Sequence, residues 1–113
     1  MRALNRSTLL VRPKEPYVSW AASVDAAAKE DENYVRNQYS IYLVAPDPNA
    51  RKESAPLEWY YEEIFELELD AWHTDEAAWP ENRDFDTFQK WFDVRAMSLL
   101  IDLDDSPIEV DEY

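Results

Sequence analysis

A chain of 113 residues has room for one hydrophobic core, and a 46% apolar share that includes 5 Trp, 7 Tyr and 4 Phe can fill it. With no Cys, no Gly and one His, the composition excludes disulfide frameworks, thiolate metal sites, two-His metal motifs, glycine-rich phosphate loops and the GxSxG nucleophile elbow. The 25 acidic against 11 basic residues give a formal charge of -14, which repels phosphates and anionic membrane surfaces, so direct nucleic-acid binding and membrane association are not expected.

In chain order, Ser7 to Arg12 is short, β-branched and apolar and reads as a strand that Pro13 stops. Pro16 suits the first turn of a helix, and Tyr17, Trp20, Ala21 and Val24 then recur on one helical face, so a helix is expected to about Ala28. Lys29 to Asn33 is polar and mainly acidic and reads as an exposed connection. From Gln38 to Val44, Tyr39, Ile41 and Leu43 alternate with their neighbours, the period of a strand, and Ala45-Pro46-Asp47-Pro48-Asn49 ends it in a turn, with loop to Pro56.

Leu57 to Trp72 holds strong helix formers, no Pro and a helical apolar rhythm at Leu57, Tyr61, Ile64, Phe65 and Trp72. Thr74, with Asp75 and Glu76 behind it, reads as the cap and acidic first turn of a short helical piece that Pro80 interrupts. Asp84 caps a further helix with Phe85, Phe88 and Phe92 on its face and Trp91 beside them. Val94 to Leu103 alternates Met97, Leu99, Ile101 and Leu103 with more varied neighbours and reads as one long strand.

Three strands among helices imply an α+β, two-layer sandwich: a small three-stranded sheet with aromatic-rich helices packed on one face, in a single domain over residues 1–113. Residues 104–113, with Pro107 and five acids, are expected to form a mobile acidic tail. No stretch is long and apolar enough for a membrane span, and the first 25 residues lack a signal-peptide pattern, so a cytoplasmic protein is expected.

The charge is concentrated. Residues 1–56 carry 8 Lys/Arg and 7 Asp/Glu, whereas residues 57–113 carry 3 and 18. On a helical wheel, Glu58, Glu62, Glu66, Asp70 and His73 share one face of the long helix, opposite an apolar stripe. Such a face is ordinarily solvated. Its carboxylates and imidazole also have the chemistry to hold a divalent cation, through Glu62, Glu66, Asp70 and His73, if Asp84, Asp86 or the Asp102 region supplies a second set of ligands.

Two residues break the wheel. Glu68 falls in the middle of the apolar face and needs a partner or a proton, with Arg95, Arg36 and Arg12 as candidates, unless the helix bends before it. Trp59 falls within the acidic face, where it either packs on the following loop or anchors a partner. His73, Asp75 and Ser98 are the residue types of a hydrolytic triad, but nothing in their spacing assembles one.

Trp79-Pro80, Phe85, Phe88, Trp91-Phe92-Asp93, Ser98 and Asp102-Leu103, with the opening Leu10-Val11-Arg12-Pro13 to Trp20, resemble a family of small uncharacterised bacterial proteins. The resemblance covers most of the chain and implies a bacterial cytosolic origin. It rests on packing residues and implies no activity or site.

No motif in the chain defines an activity, and no cofactor is implied. The charge distribution points first to a small acidic non-enzymatic interaction protein, an adaptor, inhibitor or immunity-like factor that docks on a basic protein surface. Glu58, Trp59, Glu62, Glu66 and Asp70 would make that contact, with the chain a monomer or a homodimer. The alternative is a divalent-metal-binding protein or metal-dependent enzyme built on the helical carboxylates and His73.

Overall fold

The computed structural model describes residues 1–46, 55–97 and 99–112, with the side chains of Ala55 and Pro56 left aside. Its centre is a three-stranded antiparallel sheet in the order β3-β2-β4, formed by β2 (Ser7–Pro13), β3 (Ser40–Val44) and β4 (Phe92–Met97). A two-stranded ribbon pairs β1 (Arg2–Ala3) with β5 (Ile101–Asp102). The described residues also form five helices: α1 (Glu15–Val24), α2 (Ala26–Glu30), α3 (Glu32–Arg36), α4 (Ala55–Asp70) and α5 (Phe85–Trp91), with a 3-10 turn at Glu76–Ala78.

Antiparallel register puts directly opposed residues on the same sheet face. Leu9 is paired with Tyr42 and Ala96, and Val11 with Ser40 and Val94, so these residues share a face with Val44 and Phe92. Leu9, Val11, Val44 and Phe92 are buried there, with Tyr42 and Val94 packed against them. The helices add Tyr17, Val18, Ala21, Ala28, Val35, Leu57, Ile64, Phe65, Leu69 and Phe88 to the same core. On the other face Ile41, Leu43 and Met97 are exposed. The two-layer α+β architecture follows, with the aromatic-rich helices on one face of the sheet.

Several boundaries differ from the sequence reading. The expected first helix ends at Val24, and the acidic segment beyond it is helical: the Asp25 carboxylate accepts from Ala27 and Ala28 amides at 2.8 and 3.1 Å, and Asp31 accepts from the Tyr34 amide at 3.0 Å. These carboxylates satisfy orphan amides at helix starts and so turn one helix into three. The cap of the 3-10 turn is Asp75, which accepts from the Ala77 amide at 3.0 Å, and Thr74 lies just outside it. Asp84 does cap α5, accepting from Thr87 at 2.8 Å.

The long strand expected over Val94 to Leu103 is two strands in two sheets. β4 opposes β2 from Phe92 to Met97, and its ladder stops because Thr8, near the start of β2, is the partner of Met97. Beyond that point the chain meets β1, with the Leu4 amide donating to the Leu100 carbonyl at 2.9 Å. Phe92 thus ends α5 in an extended conformation and opens β4, where its ring remains on the core side. Arg2 pairs with Asp102 and donates to the Asp104 and Ser106 carbonyls, each at 3.2 Å. The described part of the tail, residues 104–112, is exposed and has no helix or strand. The turn expected at Asp47-Pro48-Asn49 and the side chain of Ser98 lie outside the described residues. No helix among the described residues is long and apolar enough to cross a membrane.

Candidate functional site

The long helix α4 carries two chemically different faces. Leu57, Ile64, Phe65 and Leu69 are buried against the sheet layer, with Tyr60, Tyr61 and Trp72 half-buried around them. Glu58, Glu62, Glu66 and Asp70 are exposed on the solvent side, and Trp59 stands among them with 69% of its surface accessible. The ion pairs among the described residues are Arg2–Asp102, Arg12–Asp93 and Arg36–Glu15, so none of them neutralises this face. Glu81, after the 3-10 turn, adds a carboxylate where it lines a cleft with Glu62, Glu66 and Arg83.

This arrangement does not assemble the expected metal ligands. Among the described residues no group of three or more His, Asp or Glu could hold a metal ion, and Glu62, Glu66, Asp70 and His73 therefore form no such group. Residues four apart on a helix sit on successive turns, so the carboxylates are strung along the axis and need a second element to close around a cation. The neighbouring α5 meets α4 through Tyr61, Phe65 and Phe88, an aromatic seam that brings no such second set. His73 lies past the end of α4, and its backbone carbonyl accepts from the Trp79 indole at 2.7 Å.

Glu68 occupies the other side of α4, half-buried in a pocket of about 280 Å³ between β3, α1, α3 and the end of α4. None of the expected arginines reaches it. Arg36 is held by Glu15, with Nε to Oε1 at 2.5 Å and Nη2 to Oε2 at 3.0 Å. Arg12 lies 3.6 Å from Asp93 and over the Tyr39 ring, and Arg95 is exposed on the outer sheet face, opposite Leu10. Burial pushes the Glu68 carboxyl above the usual 4.5, while the polar side chains of Ser40 and Tyr42 pull the other way. Burial, and then the nearby Glu68 charge, likewise push the phenols of Tyr17 and Tyr42 upward.

A raised carboxyl makes a stability prediction. The fold holds the Glu68 proton more tightly than the unfolded chain does, so this contribution to stability is full below the unfolded value and is lost as pH rises through the higher folded value. Glu68→Gln mimics the neutral form and is expected to melt above the parent protein at pH 7.5, with the difference closing toward pH 4. A lower melting temperature for the variant at pH 7.5 would show that the charged form is the better-supported one.

The sequence flagged Glu68 through its position on the apolar face, but not the residues that surround it. Ser40 and Tyr42 come from β3, Tyr17 from α1 and Tyr34 from α3, and only the folded chain brings them together. Compared with family models, with curated proteins and with solved structures, the chain finds no match. The fold and these two sites define a small α+β domain with an exposed acidic helix face and a separate carboxyl pocket.

Proposed function

We propose that the chain is a non-enzymatic interaction protein that docks on the basic surface of another protein through the solvent face of α4. The observation that carries this reading is Trp59, a large apolar ring left 69% exposed in the midst of Glu58, Glu62, Glu66 and Asp70. A ring of that size is a common energetic anchor at interfaces, and surrounding carboxylates select a cationic partner and raise its encounter rate. With a formal charge of -14, the protein as a whole adds to the steering. The bacterial cytosolic setting implied by the family resemblance belongs to the same proposal.

The test uses three baits in a lysate of the source organism: the parent protein, Trp59→Ala, and the neutralised Glu58→Gln/Glu62→Gln/Glu66→Gln/Asp70→Asn. A basic protein held by the parent at about 50 mM salt and released at about 300 mM is expected, because screening shortens the reach of surface charges. Both variants should bind the purified partner at least tenfold more weakly, about 1.4 kcal/mol, while melting at the parent's temperature. Retention of the same proteins by all three baits, or of none by the parent, would overturn the reading.

A further inference from the structure

The Glu68 pocket combines a carboxylate that pairs with no cation among the described residues with walls that are largely aromatic. Tyr17, Tyr34, Trp72 and Phe92 all line it, together with Ser40. Tyr34 and Trp72 meet edge to face, with ring centroids 6.4 Å apart and planes at 86°, so they form a corner. Tyr34 keeps 55% of its surface exposed, which leaves this corner open to solvent at the mouth. Tyr17 is only 3% exposed, and its hydroxyl donates to the Glu68 backbone carbonyl at 2.6 Å, so the inner wall is fixed.

We propose that this pocket binds an alkylammonium group, with Glu68 as its counter-ion and the rings of Trp72 and Tyr34 against its methyl or methylene surface. Aromatic faces attract cations, most strongly where water is partly excluded, and a carboxylate on the same pocket adds the full opposite charge. Other cations suit the site less well. A divalent metal wants several oxygen ligands, and among the described residues no group of three acids or histidines could hold one. A planar guanidinium stacks best on a flat face, whereas two rings at right angles fit a rounded head. The burial that disfavours a lone carboxylate here would be offset by the bound cation.

The pocket lies on the sheet side of α4 and shares no residue with the solvent-facing carboxylates, so it stands or falls apart from the docking face. An alkylammonium has two sources, a free quaternary amine or a methylated lysine side chain, and the experiment separates them. Choline, a short peptide bearing trimethyllysine, and 3,3-dimethylbutanol, the uncharged counterpart of choline, are titrated into the full-length protein and followed by amide and indole chemical shifts.

Saturable shifts at Trp72, Tyr34 and Ser40 are expected for choline, for the peptide, or for both. The uncharged alcohol should bind at least tenfold more weakly, and so should choline to Glu68→Gln. Tyr34→Ala, an exposed position whose loss leaves the core intact, should weaken binding severalfold and keeps the test open should Glu68→Gln fail to fold. Tighter binding of the peptide than of choline assigns the site to a lysine side chain, and the reverse assigns it to a free amine. Equal affinity for the alcohol, undiminished binding in folded Glu68→Gln, or no saturable binding of either ammonium probe would overturn the proposal.

Discussion

Phe65→Ala is expected to cost about 3 to 5 kcal/mol, the range for deleting a buried aromatic ring whose neighbours cannot collapse into the space. Phe65 is fully buried, and its ring meets Phe88 at 5.5 Å, Trp91 at 5.6 Å and Phe92 at 5.7 Å, two of these contacts edge to face. Those partners belong to α5 and β4, so the ring joins the long helix to the end of the sheet. Small domains are stable by only about 5 to 15 kcal/mol, and a loss of this size moves the urea midpoint visibly. Trp59→Ala, with its exposed ring, is the contrasting case and should fall within about 0.5 kcal/mol of the parent. A cost below about 1.5 kcal/mol for Phe65→Ala would mean that the aromatic cluster is not what ties α4 to the sheet.

The aromatic seam was legible because helical spacing alone places Tyr61, Ile64 and Phe65 on one side of α4, and Asp84 before Phe85 announces a capped helix. The same local logic explains what was misread. The sequence pattern runs a helix through Asp25 and places Asp31 in an exposed stretch, although a carboxylate two or three residues ahead of free amides is equally a cap, and capping is decided by the backbone around it. The break between β4 and β5 leaves no mark on the alternation of Met97, Leu99 and Ile101, because pairing partners come from the other end of the chain. For the sites the same division holds. The acidic face of α4 is a local property and was visible, whereas the pocket depends on Tyr17, Ser40 and Tyr42 converging on Glu68 from three elements.

Tyr17→Phe is expected to cost about 1 to 3 kcal/mol, although it removes a single oxygen atom. The last four carbonyls of a helix have no intrahelical donor and must find partners elsewhere. At the end of α4, Leu67 accepts from the Ala71 amide at 3.2 Å, and Leu69 accepts from both Trp72 and His73 at 3.2 and 3.1 Å. The tightened turn passes over the Glu68 carbonyl, which takes the Tyr17 hydroxyl at 2.6 Å instead. Phenylalanine would keep the packing of the ring against Trp20, Trp91 and Phe92 and leave only that carbonyl without its partner. Chemical denaturation of Tyr17→Phe beside Tyr34→Phe, whose parent residue is exposed, isolates the effect, and equal stability of the two variants would show that the hydroxyl is not holding the helix end. Because Glu68 and Trp72 both hang from this turn, untying it should also loosen the pocket: the wall provided by the Tyr17 ring would remain while the carboxylate and the indole opposite it lost their fixed spacing.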